Sequence, residues 1–155
     1  MKNLYKQITN FINEDLRLIN PKINGVMLLE ILKYKIIDRL KVEDLNVTTE
    51  SKEEVVEEIT LINSFFNLKA NIKNFISNKT NIRSKIEANI LLICISGVIT
   101  VDLKDSKTTK NFNYKCTPMT GIVLPKSSDL SIINQKNSII LEIILFDNNS
   151  DVENI

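Results

Sequence analysis

Three blocks of aliphatic, largely β-branched residues fill the chain between Ile90 and Phe146, and polar or turn-forming stretches separate them. The blocks read ILLICISGVITVDLKD, TGIVLPKSSDLSIIN and SIILEIILF. β-branched residues fit the pleated surface of a sheet, and short strands separated by turns at regular intervals are typical of an all-β sandwich or barrel. The pattern therefore predicts a mainly β fold with antiparallel strands.

The polar stretches divide the sequence into short strands. We expect strands over residues 59–68, 72–76, 90–96, 98–103, 111–115, 122–124, 131–134 and 139–146, and a polar connection over residues 77–87. Gly97 interrupts the first apolar block, which indicates a bulge or a close backbone approach. Long apolar blocks joined by hairpins favour a small barrel or jelly roll, because closure removes exposed sheet edges.

The start of the chain carries the pattern of an amphipathic helix over residues 4–18. Leu4, Ile8, Phe11 and Ile12 fall on one helical face. This apolar stripe either packs on the barrel or contacts a partner subunit. An isolated helix of this length is marginal in water, which favours packing.

Residues 26–37 allow two interpretations. Leu32, Tyr34 and Ile36 alternate with lysines, which favours a strand with one wet face. Residues 26–31 could instead be helical.

Residues 44–54 are polar and predict a loop. Ser51 and Glu54 also fit a capping box, which allows a short helix through Glu58 as an alternative.

At 155 residues the chain has the length of one domain, and its 43% apolar residues are enough for a core. We expect residues 1–50 to form an N-terminal extension, with a helix and the alternative strand, that packs on the barrel. Residues 51–147 are predicted to form the barrel, and residues 148–155 a flexible tail.

Composition argues against several functional classes. Twenty basic and 19 acidic residues give a net charge of +1 without a basic stripe, so we expect no nucleic-acid partner. No apolar run reaches the length of a membrane span, and charged residues interrupt those at the start of the chain, so we expect no membrane partner and a cytoplasmic location. Three glycines cannot build a phosphate-binding glycine loop, and no cofactor is expected.

The chain contains no histidine and two cysteines, Cys94 and Cys116. Without imidazole, zinc would need a cluster of thiolates or carboxylates, and no such cluster is visible, so no metal site is expected. Cys94 lies inside an apolar strand and is predicted to be a small buried hydrophobe. A disulfide to Cys116 is the less favoured alternative.

Residues 97–134 resemble the cupin superfamily. In its second motif, a proline and an asparagine stand at the separation that Pro125 and Asn134 have here. The motif's two glycines and its histidine fall on Met119, Ser127 and Leu130.

A narrower resemblance, over residues 61–147, is to the sugar 3,4-ketoisomerases, the cupins that isomerise dTDP-4-keto-6-deoxyglucose. That family has a Cys-x-Ser-Gly block, an acidic hairpin, a Gly-x-x-Ile-Pro block and a final apolar strand. These correspond here to residues 94–97, 102–105, 121–125 and 139–146. The resemblance implies a cupin-like jelly-roll barrel, a nucleotide-sugar ligand and a homodimer.

The catalytic positions of that family are changed in this chain. Its Arg-Gly-x-His-x-His segment falls on residues 80–85 (TNIRSK), so that Arg83 and Lys85 occupy the two histidine positions. Ketoisomerisation moves a proton between adjacent carbons and needs a base that works near neutral pH, which imidazole supplies. Guanidinium cannot act as that base. A metal- or histidine-dependent enzyme is therefore not expected.

Four residues remain as site candidates. Lys85, if buried in a dry pocket, and Glu142, which interrupts the apolar run 139–146, are candidate catalytic bases. For Glu142 the alternative is an outward-facing residue on a wet surface. Arg83, Lys85 and Asn134 are candidate ligand-binding residues, because two cations at a barrel mouth suit a diphosphate or another anion. The alternative for the cations is a solvated loop.

Three functional hypotheses follow. The leading one is a degenerate cupin that binds a nucleotide sugar or another small anionic or carbohydrate ligand without catalysis. The second is an active nucleotide-sugar isomerase with substituted catalytic residues. The third is a barrel used only as a scaffold for protein–protein interaction. A polar interior supports the first two, and an interior packed with Ile and Leu supports the third.

Overall fold

The computed structural model describes residues 10, 24–39, 55–62, 67–75, 80–83, 85–105, 110–134 and 138–146. These residues form one long helix and nine strands. They are α1 (Gly25–Arg39), β1 (Val55–Ile62), β2 (Asn67–Phe75), β3 (Thr80–Arg83), β4 (Asn89–Ser96), β5 (Ile99–Asp105), β6 (Asn111–Cys116), β7 (Thr120–Leu124), β8 (Ser128–Asn134) and β9 (Ser138–Phe146). The predicted mainly β fold is confirmed.

The strands form two antiparallel sheets. The first has the order β1-β2-β9-β4-β7, and the second has the order β3-β8-β5-β6. From β2 onward the chain crosses between the sheets at almost every connection, and only β5 and β6 are consecutive in one sheet. Among the described strands, no ladder joins one sheet to the other, so the expected barrel is a pair of facing sheets that strand pairing does not close.

The first sheet has two faces, which we call the outer face and the inner face. Side chains on the outer face pack with side chains of α1 in one aliphatic cluster, which we call the outer cluster. The inner face is turned toward the second sheet. The outer cluster consists of Leu28, Leu29, Leu32, Ile36, Leu68, Ala70, Ile72, Leu91, Ile93, Ile95, Ile139, Leu141, Ile143 and Leu145. Burial on both faces explains why β4 and β9 are continuous apolar runs rather than alternating ones.

The strand that we predicted from the alternation of Leu32, Tyr34 and Ile36 is wrong, and the helical alternative extends over the whole segment. Asn24 caps α1, because its side-chain Oδ1 accepts a hydrogen bond from the Val26 N–H at 2.8 Å. Leu28, Leu32 and Ile36, which are four residues apart, are fully buried, whereas Tyr34 is 68% exposed. Leu32 and Ile36 therefore belong to the buried face of a helix, and Tyr34 between them lies on its exposed face.

Most predicted strands are present. The segment predicted as one strand over residues 59–68 contains the end of β1 and the start of β2. The alternative helix through Glu58 is wrong, since Glu58 pairs with Asn71 in the ladder between β1 and β2. β3 lies in the segment predicted as a polar connection. Gly97 has a φ of 83°, and the register between β4 and β9 shifts just before it, between Cys94 and Ser96, so the predicted bulge is confirmed.

Other predictions concern residues outside the described part of the chain. Of the predicted helix over residues 4–18, the structure describes Asn10 alone, in helical conformation and exposed. The loop over residues 44–54 and the tail over residues 148–155 also lie outside it, and the domain boundaries stay predictions. Within the described residues, no helix combines the length and apolarity needed to cross a bilayer.

Candidate functional site

An aliphatic core fills much of the space between the two sheets. It draws Ile90, Leu92 and Ile140 from the first sheet and Val101 and Ile132 from the second. Its other members are Ile86, Cys94, Ile99, Cys116, Leu124 and Leu130. The region where β4 and β9 face β5 and β8 is therefore a packed apolar core.

β2 differs from its neighbours because it carries polar residues on the inner face. Its aliphatic residues belong to the outer cluster, and side chains alternate along a strand, so Lys69, Asn71 and Lys73 lie on the inner face. The register agrees, since Asn71 pairs with Glu142 and Glu142 pairs with Leu92 of the apolar core. The interior between the sheets thus changes from apolar to polar at β2.

Asn71, Lys73 and Glu142 contact one another in this polar part of the interior, and we call them the polar cluster. Glu142 is 1% exposed, Asn71 6% and Lys73 8%. The Glu142 Oε1 accepts a hydrogen bond from the Asn71 Nδ2 at 3.3 Å and lies 3.2 Å from the Lys73 Nζ. A buried carboxylate without partners is strongly unfavourable, and these two contacts compensate the Glu142 charge.

One atom of the polar cluster lacks a partner. The Asn71 Oδ1 is buried and accepts no hydrogen bond from any part of the chain that the structure describes. Because an ionised carboxylate can only accept, the Asn71 nitrogen must face Glu142, and its oxygen must face away. An unpaired buried acceptor costs about 1–3 kcal/mol, and such an atom in a folded protein requires an explanation.

Glu142 is therefore an interior residue, and the alternative that placed it on a wet outer surface is wrong. Its signal in the sequence is a charged residue that interrupts an apolar strand. Its role as a base or ligand contact stays a prediction.

Lys85 does not belong to the polar cluster. It is exposed, with a positive φ of 47°, and its backbone N–H donates a hydrogen bond to the Asp129 Oδ1 at 2.9 Å. The dry pocket that a catalytic role for Lys85 requires is absent at this position.

Arg83 and Asn134 lie at opposite ends of the second sheet's ladders, and their side chains are outside the described part of the chain. Arg83 pairs in register with Leu130, and Asn134 pairs with Ile99. Both ligand-binding assignments stay predictions.

The sequence analysis missed Asn71 and Lys73 as site residues. β2 reads NLKANIKNF, and its polar residues recur at every second position, as they do on any strand with a solvated face. The signal that could have found them is the pairing of this polar face with Glu142, an acidic residue inside an apolar strand 71 positions away.

Both cysteines are free and fully buried in the apolar core, so the prediction that Cys94 is a small buried hydrophobe is confirmed, and the disulfide is not formed. Burial raises the pKa of Cys94 to about 12, with a further contribution from Cys116. Burial likewise raises the pKa of Cys116 to about 11, against a smaller opposing effect of a hydrogen bond with Thr120. Neutral thiols of this kind are poor nucleophiles and poor metal ligands.

Across the described ranges, no three Cys, Asp or Glu side chains converge to hold a metal ion.

No family model matches the sequence, and none of the curated proteins matches it. Among solved structures, the chain is similar to a cupin superfamily protein from Desulfitobacterium hafniense, with 16% identity over 63% of this chain and 84% of that one, and a TM-score of 0.49. It is also similar to the oxalate decarboxylase of Lactobacillus farciminis in its formate complex, with 13% identity over 57% of this chain and 28% of that one, and a TM-score of 0.46. A third is procruciferin, an 11S globulin from Brassica napus, with 14% identity over 50% of this chain and 20% of that one, and a TM-score of 0.45. All three TM-scores are below 0.5, so strand order and burial carry the conclusions about the fold.

Proposed function

We propose that this chain is a cupin-like jelly roll that binds a small polar ligand, a nucleotide sugar or another carbohydrate, between its two sheets without catalysing its conversion. One observation carries the proposal: the polar cluster of Asn71, Lys73 and Glu142 lies buried on the inner face, next to an otherwise aliphatic core.

Strand order supports the jelly-roll part of the proposal. β2 to β9 divide into two groups of four, β2-β9-β4-β7 and β3-β8-β5-β6, and a double-sheet jelly roll has eight strands arranged in two such sheets. In folds of this kind, ligands bind in the interior or at its mouth, where a few polar groups converge within an apolar lining. The polar cluster beside Leu92 has this composition.

The chemistry of the side chains favours binding over catalysis. The sequence has no imidazole, and Lys85 is exposed. Glu142 is the remaining interior candidate for a base, and its burial is the observation that favours the alternative of an active sugar isomerase. Exchange of substrate protons with solvent, followed by NMR on a nucleotide-linked 4-keto sugar, tests that alternative, and loss of exchange in Glu142→Gln would support it.

Titration calorimetry on the full chain tests the binding proposal, with dTDP, a dTDP-sugar and glucose as ligands. We expect binding of at least one of them, weakened at least about tenfold in Glu142→Gln, since removal of one charge from a buried pair disturbs the site. Lys104→Gln is the matched control, because Lys104 is exposed on β5 in the other sheet. Absence of binding of all three ligands at millimolar concentration would overturn the proposal.

The aliphatic core favours one second candidate, the scaffold for protein–protein interaction. Leu92, Val101, Ile132 and Ile140 are all buried between the sheets and fill part of the interior. A scaffold would bind none of the small molecules and would retain its partner contacts in Glu142→Gln.

The homodimer that the resemblance implies stays a prediction. Sedimentation of the chain at micromolar concentration tests it, and a monomer would reject it.

A further inference from the structure

We infer that the polar cluster takes an uncharged, hydroxyl-rich ligand, the class of free sugars and polyols, which donates a hydrogen bond to the Asn71 Oδ1; this inference rests on the proposed binding function. It selects among the proposed ligands and disfavours those that carry phosphate groups.

The hydrogen-bonding capacity of the site favours an uncharged ligand. Lys73 and the Asn71 amide nitrogen both contact the Glu142 carboxylate, so each of these donor groups already has an acceptor within the chain. The buried acceptor without a donor is the Asn71 Oδ1. A hydroxyl group can donate to this oxygen, whereas a fully ionised phosphate only accepts hydrogen bonds and would face it as a second acceptor.

The charge balance of the polar cluster favours the same class of ligand. Glu142 neutralises Lys73, so the ion pair of the polar cluster carries no net charge. A buried site with no net positive charge gives no electrostatic compensation for the desolvation of a phosphate, whereas an uncharged ligand needs none.

The position of Lys85 also disfavours a ligand with phosphate groups. A diphosphate would need cations that converge on it, and Lys85 is exposed with its backbone bonded to Asp129. It therefore adds no charge to the buried site.

Matched ligands test the inference on the full chain by titration calorimetry. Glucose, fucose and myo-inositol are the uncharged probes, and glucose 1-phosphate and dTDP are the charged ones. We expect at least one uncharged probe to bind, and glucose 1-phosphate to bind no more tightly than glucose. Binding of a charged probe about tenfold tighter than any uncharged one, and weakened by salt, overturns the inference while the proposed function stands. Failure of all three uncharged probes overturns the inference, and the proposed function falls as well only if dTDP and a dTDP-sugar also fail to bind.

Asn71→Ala tests the assigned hydrogen bond, and Asn113→Ala, at an exposed asparagine on β6, is its control. We expect a loss of about tenfold in affinity for the uncharged probe in the first variant and none in the second. Equal affinities in both variants overturn the inference. If Asn71→Ala does not fold, the NMR signal of the Asn71 side-chain amide in the unaltered protein replaces it. A shift of this signal on addition of the uncharged probe is expected, and an unchanged signal at saturation overturns the inference.

Discussion

The two faces of the first sheet are built from the same strands but differ in what they bury. On the outer face, β2, β4 and β9 contribute aliphatic side chains alone, and α1 adds four more. On the inner face, β4 and β9 continue the aliphatic pattern, whereas β2 contributes Lys69, Asn71 and Lys73, and Glu142 of β9 lies beside them. The outer face needs shape complementarity only, but the inner face also needs every buried charge to find a partner.

The two faces therefore contribute differently: the aliphatic outer face stabilises the fold, whereas the polar part of the inner face contributes little to stability. An aliphatic cluster stabilises the fold roughly in proportion to its buried area and tolerates exchange of similar side chains. A buried ion pair gains little over hydrophobic replacements but is costly when only one partner is lost. A polar part of the interior is thus a poor way to stabilise this fold, which is the reason to assign it a ligand.

The largest effect should come from breaking the ion pair on the inner face. Lys73→Met removes the cation that lies 3.2 Å from the buried Glu142 Oε1, and we expect a loss of about 3–5 kcal/mol in the free energy of unfolding. Urea unfolding followed by circular dichroism measures it. The double variant Lys73→Met/Glu142→Leu should recover most of the loss, because both charges of this buried pair are removed. A double variant as unstable as the single one would contradict the view that the pair is dispensable for folding.

Next in size is the removal of an aliphatic side chain from the outer face. Leu32→Ala should destabilise the protein by about 2–5 kcal/mol through the cavity it leaves, since Leu32 is fully buried. Tyr34→Ala is the matched control and should change stability by less than about 1 kcal/mol, because Tyr34 is largely exposed on α1. Similar losses in both variants, measured by thermal or urea unfolding, would instead favour the strand in which Leu32 and Tyr34 share one face.

A smaller effect concerns the thiols of the apolar core. Their pKa values in the folded protein, about 12 for Cys94 and about 11 for Cys116, lie above the ordinary value of 9.0. Above about pH 9 the unfolded chain releases its thiol protons, whereas the folded protein keeps them. The contribution of the neutral thiols to stability is therefore complete below about pH 9 and is lost as pH rises toward 11–12.

Urea unfolding at pH 8 and pH 10 measures this dependence. We expect the protein to lose about 1 kcal/mol per thiol more over this range than the variant Cys94→Ala/Cys116→Ala. The variant supplies the baseline, because it differs from the unaltered protein in the two thiols alone. Parallel pH profiles would show that the two thiols are not buried as described.

The smallest effect is local to the bulge after β4. Gly97 has a positive φ, which residues with a Cβ adopt at a cost, so Gly97→Ala should destabilise the protein by about 1–2 kcal/mol. The control is Val98→Ala, at the next position along the chain, and the two losses are compared by urea unfolding. An unchanged stability of Gly97→Ala would mean that the bulge can relax.

The central strands of this fold could be predicted from the sequence, because a strand that is buried on two faces is a continuous aliphatic run. β4 and β9 are such runs, and both were predicted within a residue of their ends. β3 could not be found, since its four residues, TNIR, contain a single aliphatic side chain. α1 was read as a strand at Leu32–Ile36 because a short window of a helical stripe can match period two.

Only one of the three residues of the polar cluster could be predicted from the sequence. Glu142 stood out against its aliphatic neighbours, but Asn71 and Lys73 had the ordinary alternation of a solvated strand. Their burial follows from their place on the inner face and from the register between β2 and β9, which are tertiary facts. No local pattern distinguishes a polar face turned to water from one turned to a core.

The position of β9 has a consequence for how the chain is made. β9 is the last described strand in the sequence, yet it lies in the middle of the first sheet, where it pairs with β2 on one side and β4 on the other. Those two strands leave the ribosome earlier and have no ladder to each other. Until residue 146 has emerged, β2 and β4 each have one strand edge whose native partner is missing, so the nascent chain is open to non-native pairing and to chaperones during this interval.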